Sequence, residues 1–333
     1  MVSVYDCLEA WWKYGYEVEY FWISGILVVF VGAFGLIGNI ANLIVLWKIE
    51  FRKKVFYKLL IALAFCDILL IVSYGITTSY QSLACLPTND NVGYFTFYFY
   101  KIATIGSEYV TIAISLERYI GICHPHFRFS RCLAFYLLPV ILITTFVNAP
   151  ILFERQYHVV NDTIVSSQHE WATSNAYKIY ANTVSFIFQS VIPLTALLFL
   201  NGILLYNIIS SSKSVKAISR NASYSQKSTT KILLYVVINS LICHGLRMAY
   251  KSLYLSGCPD EQESPEEDCI EKRDEMRRWN FIAPIEKLAY MFNSSVNFVI
   301  FCLVGKHFRT VFCRIFLLQK SQAPNMIFTN DNS

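Results

Sequence analysis

Charged residues are scarce in this sequence. Asp, Glu, Lys and Arg make up 15% of its 333 residues, whereas soluble domains carry about 25%. Hydrophobic residues make up 55%, and the mean hydropathy is +0.43. This balance excludes an ordinary soluble domain and favours a chain that lies mostly within a membrane.

Long apolar runs are the main feature that is present. A run of about 20 apolar residues can cross the hydrocarbon core of a bilayer. We therefore predict an all-α membrane protein built as a seven-transmembrane helix bundle. The seven predicted spans lie at about 22–47, 57–82, 94–122, 132–153, 181–209, 230–255 and 280–304.

Basic residues are distributed unequally between the two sides of these spans. Seventeen of the 28 Lys and Arg residues lie after spans 1, 3, 5 and 7 or at the adjoining helix ends. Most acidic residues lie on the other side, including nine between Asp260 and Glu275. Because cytoplasmic loops are rich in Lys and Arg, we predict that the N-terminus lies outside. The net charge of +5 reflects this polarity and gives no reason to expect a nucleic-acid partner.

The spans also define the organisation of the chain. We predict an extracellular N-terminus at 1–21, a membrane domain at 22–304 and a cytoplasmic tail at 319–333. Between the last two, residues 305–318 read GKHFRTVFCRIFLL and alternate basic and apolar side chains at helical spacing. This pattern is typical of an amphipathic helix that lies on membrane lipid, and we predict a short eighth helix there.

The predicted outer side carries two covalent features. Of the ten cysteines, Cys7, Cys85, Cys258 and Cys269 lie there, where disulfides persist. Four cysteines allow three pairings, and we favour Cys258–Cys269, which closes a short loop and leaves Cys7–Cys85. Four free thiols are the alternative. Asn161, in the sequon Asn-Asp-Thr, is the predicted glycosylation site.

Ionisable residues within membrane spans are costly and usually functional. Asp67 lies inside span 2 and must be paired, hydrated or protonated. Carboxylate, hydroxyl and amide oxygens are typical ligands of a hard cation, so the set favours a possible sodium site and no softer metal. A protonated Asp67 that ties helices together is the equal alternative. The residues expected around it are Asn39, Ser107, Asn293, Ser294 and Asn297.

Six features in this order resemble the rhodopsin-like G-protein-coupled receptors. Within that family, SLERYIGICHP and NSSVNFVIF most resemble invertebrate FMRFamide-type neuropeptide receptors and related nematode receptors. The features are Gly38-Asn39, Leu63-Ala64-x-x-Asp67, Glu117-Arg118-Tyr119, Pro193, Asn293-Ser294-x-x-Asn297 and the helix at 305–318.

The resemblance implies a multi-pass receptor of the plasma membrane that binds an extracellular peptide and a heterotrimeric G protein. It also implies a switch in which a resting Glu117–Arg118 pair opens, so that Arg118 meets the G protein, with Tyr119 beside it. Met291 stands where a retinal protein needs its lysine, and Tyr100 where an amine receptor needs its aspartate.

Two other functions remain as alternatives. The first is an orphan chemoreceptor of the same fold that senses small molecules. The less favoured one is a seven-span transporter or membrane enzyme, because internal repeats, HExxH and GxSxG are missing from the sequence. We therefore predict that the protein is not an enzyme and carries no cofactor beyond the possible sodium ion.

By the same resemblance, a ligand pocket is expected at the outer ends of spans 3, 6 and 7. An Arg-Phe-amide peptide needs a carboxylate for its guanidinium and aromatic rings for its phenylalanine. Glu286 is the best candidate for that carboxylate, and the deeper Glu108 has a structural role as its alternative. The expected pocket residues are Tyr100, Lys101, Thr104, Glu108, Arg247, Glu286 and Tyr290.

The sequence also departs from the family pattern. Phe298 and Phe301 replace the usual proline and tyrosine of span 7, and Asn201 replaces a tyrosine of span 5. Cys243-His244-Gly245-Leu246 is the nearest match to the span-6 motif, and Gly93 stands in place of the usual span-3 cysteine. The family's usual disulfide is therefore absent, and we expect altered switch mechanics in spans 5 to 7.

Overall fold

The computed structural model describes ten stretches of the chain, at residues 21–48, 51, 53–78, 91–124, 132–160, 163–184, 186–214, 231–246, 248 and 282–316. Several predictions concern residues outside these stretches, so the structure does not bear on them. These are the four outer cysteines, the glycosylation site, one pocket residue and the two chain ends, namely Cys7, Cys85, Cys258, Cys269, Asn161, Arg247, 1–20 and 317–333.

Eight main helices make up the described part of the chain. Helix α1 is preceded by a π-helical segment, Phe21–Leu27, and α4 continues as the 3₁₀ helix Ala149–Phe153. The helices are α1 Val28–Leu46, α2 Val55–Thr78, α3 Asn91–Cys123, α4 Leu133–Asn148, α5 Ile192–Ser214, α6 Lys231–Leu246, α7 Ile282–Val304 and α8 Lys306–Phe316.

Five of the described helical segments are long and apolar enough to cross a membrane, and they contain α1, α2, α4, α5 and α7 in whole or in part. Helix α3 has 33 residues, which is about 50 Å at 1.5 Å per residue. It is less apolar because Lys101, Glu108, Glu117 and Arg118 lie along it. The described part of α6 is shorter. The α-helical membrane architecture predicted from the sequence is confirmed.

Small residues allow α1 to approach α7 closely. A Cβ atom added at Gly38 would lie 2.8 Å from Cβ of Phe298, and one at Gly35 would overlap Ser295. The Ser295 hydroxyl donates to the Val31 carbonyl across this contact, at 3.1 Å. Close backbone approach at small residues is the usual way in which helices associate in a membrane. Helix α1 also packs against α2, which packs in turn against α3.

Helix α8 extends the core beyond the end of α7. Phe308 and Val311 are buried, and the Phe308 ring lies 5.6 Å from that of Phe301 on α7. Lys306 and Arg309 on the same helix are exposed. The structure therefore places an amphipathic helix within the range expected for the eighth helix, and its location on membrane lipid remains a prediction.

The segment between α4 and α5 contains a β-hairpin that the sequence analysis did not predict. Strand β1, Arg155–Val160, pairs antiparallel with β2, Thr163–Gln168, so that Arg155 lies opposite Gln168 and Val160 opposite Thr163. The sequence contained a signal for it, since β-branched residues flank Asn161-Asp162. Such runs separated by two turn-forming residue types are typical of a hairpin.

The chain enters α5 through irregular helix. Two short α-helical turns, Glu170–Thr173 and Asn175–Ile179, lead into the π-helical segments Tyr180–Val184 and Ile187–Val191. Pro193 follows in the first turn of α5. Because the helix is continuous from the preceding π-helical segment, Pro193 removes one backbone hydrogen bond there, which agrees with the irregular turns before it. Irregular helical turns of this kind are frequent near functional sites.

Candidate functional site

The Glu117–Arg118 motif lies near the C-terminal end of α3. The two side chains form a bidentate ion pair, with Nε of Arg118 2.5 Å from Oε2 of Glu117 and Nη2 2.7 Å from Oε1. Both side chains are largely buried, at 15% and 12% exposure. A two-point guanidinium–carboxylate contact is directional and strong, so it fixes the orientation of the Arg118 side chain.

Aromatic residues of two other helices lie near the same ion pair. Cζ of Arg118 lies 4.2 Å from the centre of the Phe56 ring, in the first turn of α2. Tyr136 of α4 is buried close enough to interact electrostatically with both Glu117 and Arg118. Three helices, α2, α3 and α4, therefore meet at this charged pair.

Polar contacts extend from this end of α3 to α5. Asn201 donates from Nδ2 to the Ser115 hydroxyl at 3.1 Å, and Asn207 contacts the Cys123 thiol at 3.2 Å. Tyr119 does not join them. Its hydroxyl lies 3.3 Å from Nε2 of His124. Asn201, which replaces the tyrosine usual in the family, thus ties α5 to α3.

A second polar cluster surrounds Asp67 in the middle of α2. Its carboxyl is fully buried and accepts hydrogen bonds from Ser107 of α3 at 2.7 Å and from Asn297 of α7 at 2.8 Å. The Ser294 hydroxyl is also close enough to interact with it, although outside hydrogen-bonding geometry. Asn39 of α1 joins α7 nearby, through Nδ2 and the Ser294 carbonyl at 2.8 Å.

Asn293 makes a different connection from the one expected. Its Oδ1 accepts a hydrogen bond of 2.6 Å from Nδ2 of Asn239, on α6. The structure therefore uses Asn293 to join α7 to α6, and brings Ser107 and Asn297 directly to Asp67.

A third polar contact joins α3 to α6. Nδ1 of His244 lies 3.7 Å from Oε1 of Glu108, and both side chains are almost fully buried, at 2% and 3% exposure. An intramembrane carboxyl and imidazole in contact satisfy the rule that ionisable groups within a bundle are paired with one another. Glu108, expected in the ligand pocket, is thereby turned toward α6.

The other expected pocket residues lie along α3 and α7. Tyr100 packs its ring 5.2 Å from that of Tyr74, and Lys101 lies over the Phe97 ring at 5.2 Å. Thr104 is buried and donates to the Tyr100 carbonyl. On α7, Tyr290 is buried and Glu286 is half-buried one turn before it.

The cavities lined by described residues include two that contain no expected pocket residue. One of about 380 Å³ lies between α1, α2 and α7, beside Gly32, Ile71 and Met291. The other, of about 480 Å³, lies beside Phe153 and Trp171. The described stretches contain no group of three or more His, Cys, Asp or Glu side chains that could hold a metal. The oxygens around the Asp67 carboxyl come from hydroxyl and amide groups, which are not among those four residue types.

Three residues with prominent contacts were missed as site residues by the sequence analysis. His244 is an ionisable residue within a span, and that signal could have paired it with Glu108. Asn239 is a polar residue of the same span, which gives a weaker signal. Phe56 gives none, because an apolar residue at the start of a span carries no mark of contact with Arg118 on another helix.

Comparisons with known proteins agree with this architecture. The family described as 7 transmembrane receptor (rhodopsin family) matches residues 38–301. The chain is 25% identical over 325 residues to the FMRFamide receptor of Drosophila melanogaster, covering 90% of this chain and 55% of that receptor.

In two further relatives the match extends over a larger share of the relative's own length. A probable G-protein coupled receptor of Caenorhabditis elegans is 26% identical over 318 residues, with 88% of this chain and 69% of the relative covered. The thyrotropin-releasing hormone receptor of Mus musculus is 24% identical over 330 residues, with 90% and 80% covered.

The matched region contains all the motifs from Gly38-Asn39 to Asn297, so the family predicted from the sequence is confirmed. Its members are signalling receptors and not enzymes, and they are multi-pass proteins of the plasma membrane. The chain belongs to the rhodopsin family of seven-transmembrane receptors.

Proposed function

We propose that this receptor binds an extracellular peptide of the Arg-Phe-amide type and couples to a heterotrimeric G protein. The observation that carries the proposal is the buried Glu117–Arg118 pair near the end of α3, with Nε and Oε2 2.5 Å apart. A buried, paired arginine at a predicted cytoplasmic helix end is a group that can change partners when helices move.

The peptide class is supported by the relatives and by the chemistry of the predicted outer ends. One relative is named for FMRFamide, which contains an arginine and two phenylalanines. Glu286 is a half-buried carboxylate on α7, and Tyr290 follows one turn later. A carboxylate near an aromatic residue suits an Arg-Phe-amide peptide, because guanidinium pairs with carboxylate and ring packs on ring.

The decisive experiment is a screen of amidated peptides on cells that express the receptor, with G-protein activation as the readout. We expect Arg118→Ala to abolish activation while leaving peptide binding and surface expression intact, because Arg118 lies far along α3 from the pocket residues. Loss of peptide binding in this variant would instead make Arg118 a folding residue.

The proposed contact between Glu286 and the arginine of the peptide is tested separately in the same cells. An active peptide is compared with its citrulline analogue, in which the charged arginine is replaced by a neutral isostere. We expect the analogue to bind wild-type receptor about tenfold more weakly, as for loss of a charge-assisted hydrogen bond. Binding to Glu286→Gln should be equally weak for both peptides. A response to small metabolites and to no peptide would favour the chemoreceptor alternative.

We also propose that the Asp67 cluster holds a sodium ion. The buried oxygens Oδ1 of Asn39, Oγ of Ser294 and Oδ1 of Asn297 have no hydrogen-bond partner among the described residues. Buried polar atoms rarely stay unsatisfied, and oxygen ligands suit a hard cation. Asp67, Ser107, Ser294 and Asn297 are the residues that would hold the ion, which would neutralise the carboxylate.

A further inference from the structure

The Arg118 guanidinium has a second contact, separate from the one with Glu117. Glu117 binds the edge, through Nε and Nη2. Cζ of the guanidinium lies over the Phe56 ring, 4.2 Å from the ring centre. A guanidinium can be hydrogen-bonded in its plane and stacked on an aromatic face simultaneously, so the two contacts act together.

Burial strengthens the contact with the ring. Phe56 has no exposed surface, and the Arg118 side chain is 15% exposed. Attraction between a cation and an aromatic face grows when water is excluded from it. The Phe56 ring is itself held at 5.2 Å from Tyr57 in an edge-to-face arrangement, so it is a fixed surface on which the guanidinium lies.

The sequence shows why the ring is important. No Asp or Glu occurs anywhere from residue 171 to residue 259, which covers α5, α6 and the segment between them. On the predicted cytoplasmic side the acidic residues are Glu50, Glu117 and Asp331. The α6 region therefore supplies no Asp or Glu carboxylate that could restrain Arg118, which gives weight to its contacts with Glu117 of α3 and Phe56 of α2.

We propose that Phe56 is a positioning residue that holds Arg118 in its resting orientation through the face of its ring. This inference rests on the proposed coupling through Arg118. Release of Arg118 then includes separation from the Phe56 ring as well as from the Glu117 carboxylate. A movement of α2 relative to α3 would be enough to weaken the second contact, so the inner end of α2 takes part in the switch.

The test measures ligand-independent G-protein activation per receptor at the cell surface. Phe56→Leu keeps apolar bulk and removes the ring. We expect it to raise basal activation about fivefold, the shift in equilibrium that loss of such a contact produces. Phe56→Tyr and Phe56→Trp retain an aromatic face and should stay near the wild-type level. A ring that only filled space would instead lower expression and leave basal activation per receptor unchanged.

Phe51 provides a matched control. It is equally buried, belongs to the same apolar core and packs its ring 4.8 Å from Tyr57 and 4.7 Å from His307. We expect Phe51→Leu to lower expression or thermal stability without raising basal activation. Equal activation by Phe51→Leu and Phe56→Leu would overturn the proposal, because it would show a general effect of loosened packing.

A second measurement keeps the test valid if Phe56→Leu does not reach the cell surface. Replacing Phe56 with phenylalanine carrying one, two or three ring fluorines weakens the negative face while nearly preserving the shape. Basal activation should rise stepwise with fluorine number, since the attraction is electrostatic. If basal activation does not change with fluorine number in a receptor that signals normally, the role proposed for Phe56 is refuted. A wild-type receptor that activates no G protein, with or without peptide, refutes the proposed function itself.

Discussion

At the scale of single residues, Asp67 has the most demanding surroundings. A fully buried carboxyl in a membrane span accepts two hydrogen bonds, from Ser107 and Asn297, and adjoins further buried oxygens. An uncompensated carboxylate at this depth would cost several kcal/mol. Either a proton or a cation must therefore balance it, and the two explanations predict different responses to salt.

Sodium should stabilise the wild-type receptor and leave the Asp67→Asn variant unaffected. A ligand that binds only the folded state raises the free energy of unfolding, by about 1 kcal/mol for sodium at about five times its Kd. The measurement is thermal unfolding of detergent-solubilised receptor in sodium chloride and in potassium chloride at equal ionic strength. Asn148→Ala is the control, because Asn148 is fully buried but bonds within its own helix, to the Thr144 carbonyl. An equal effect of potassium would support a protonated Asp67.

At the scale of elements, polar pairs join α6 to the rest of the bundle. Glu108–His244 links it to α3, and Asn239–Asn293 links it to α7. Both contacts lie in a receptor that departs from the usual span-6 motif and from the usual proline and tyrosine of span 7. Apolar packing between helices has no driving force from water in a membrane, so interhelical polar contacts carry more of the specificity there.

Replacing one residue of the Glu108–His244 pair should destabilise the receptor more than replacing both. Glu108→Leu leaves the His244 imidazole buried opposite an apolar side chain, which costs about 3 kcal/mol. The double variant Glu108→Leu/His244→Leu should recover most of the loss, because an apolar pair can replace a buried polar one. Thermal unfolding of the single and double variants measures the coupling. Losses that simply add would show that the two side chains act independently.

At the scale of the whole molecule, charge is arranged in layers. The acidic residues gather on the predicted outer side and the basic residues on the predicted inner side. The helices between them are joined by buried polar contacts from α1 to α7. The orientation of this layered molecule decides which end of α3 meets a ligand and which meets a G protein.

Glycosylation tests that orientation directly, because the modification is added on the outer side. We expect wild-type receptor to lose mass on treatment with an N-glycosidase, and Asn161→Gln to show no such change. Asn221→Gln is the matched control, since Asn221 also lies in a sequon but on the predicted cytoplasmic side. Loss of the mass change in Asn221→Gln, with retention in Asn161→Gln, would reverse the predicted topology.

Long-range pattern in the sequence determined the class of fold. Seven apolar runs of membrane length predict helices, because a lipid core leaves backbone groups no partners except their own segment. Motif order was sufficient to identify the family. The hairpin of β1 and β2 was not predicted, although the β-branched runs that flank Asn161-Asp162 carry a short-range signal for it.

Only the tertiary structure decided which side chains meet. The residues that surround Asp67 were predicted as a set, yet Asn293 bonds to Asn239 on α6. Glu108 was considered both for the pocket and for a structural role and lies against His244, while nothing in the sequence indicated that Phe56 would lie over Arg118. The physical reason is that hydropathy fixes which residues enter the membrane, whereas helix rotation and crossing fix their partners.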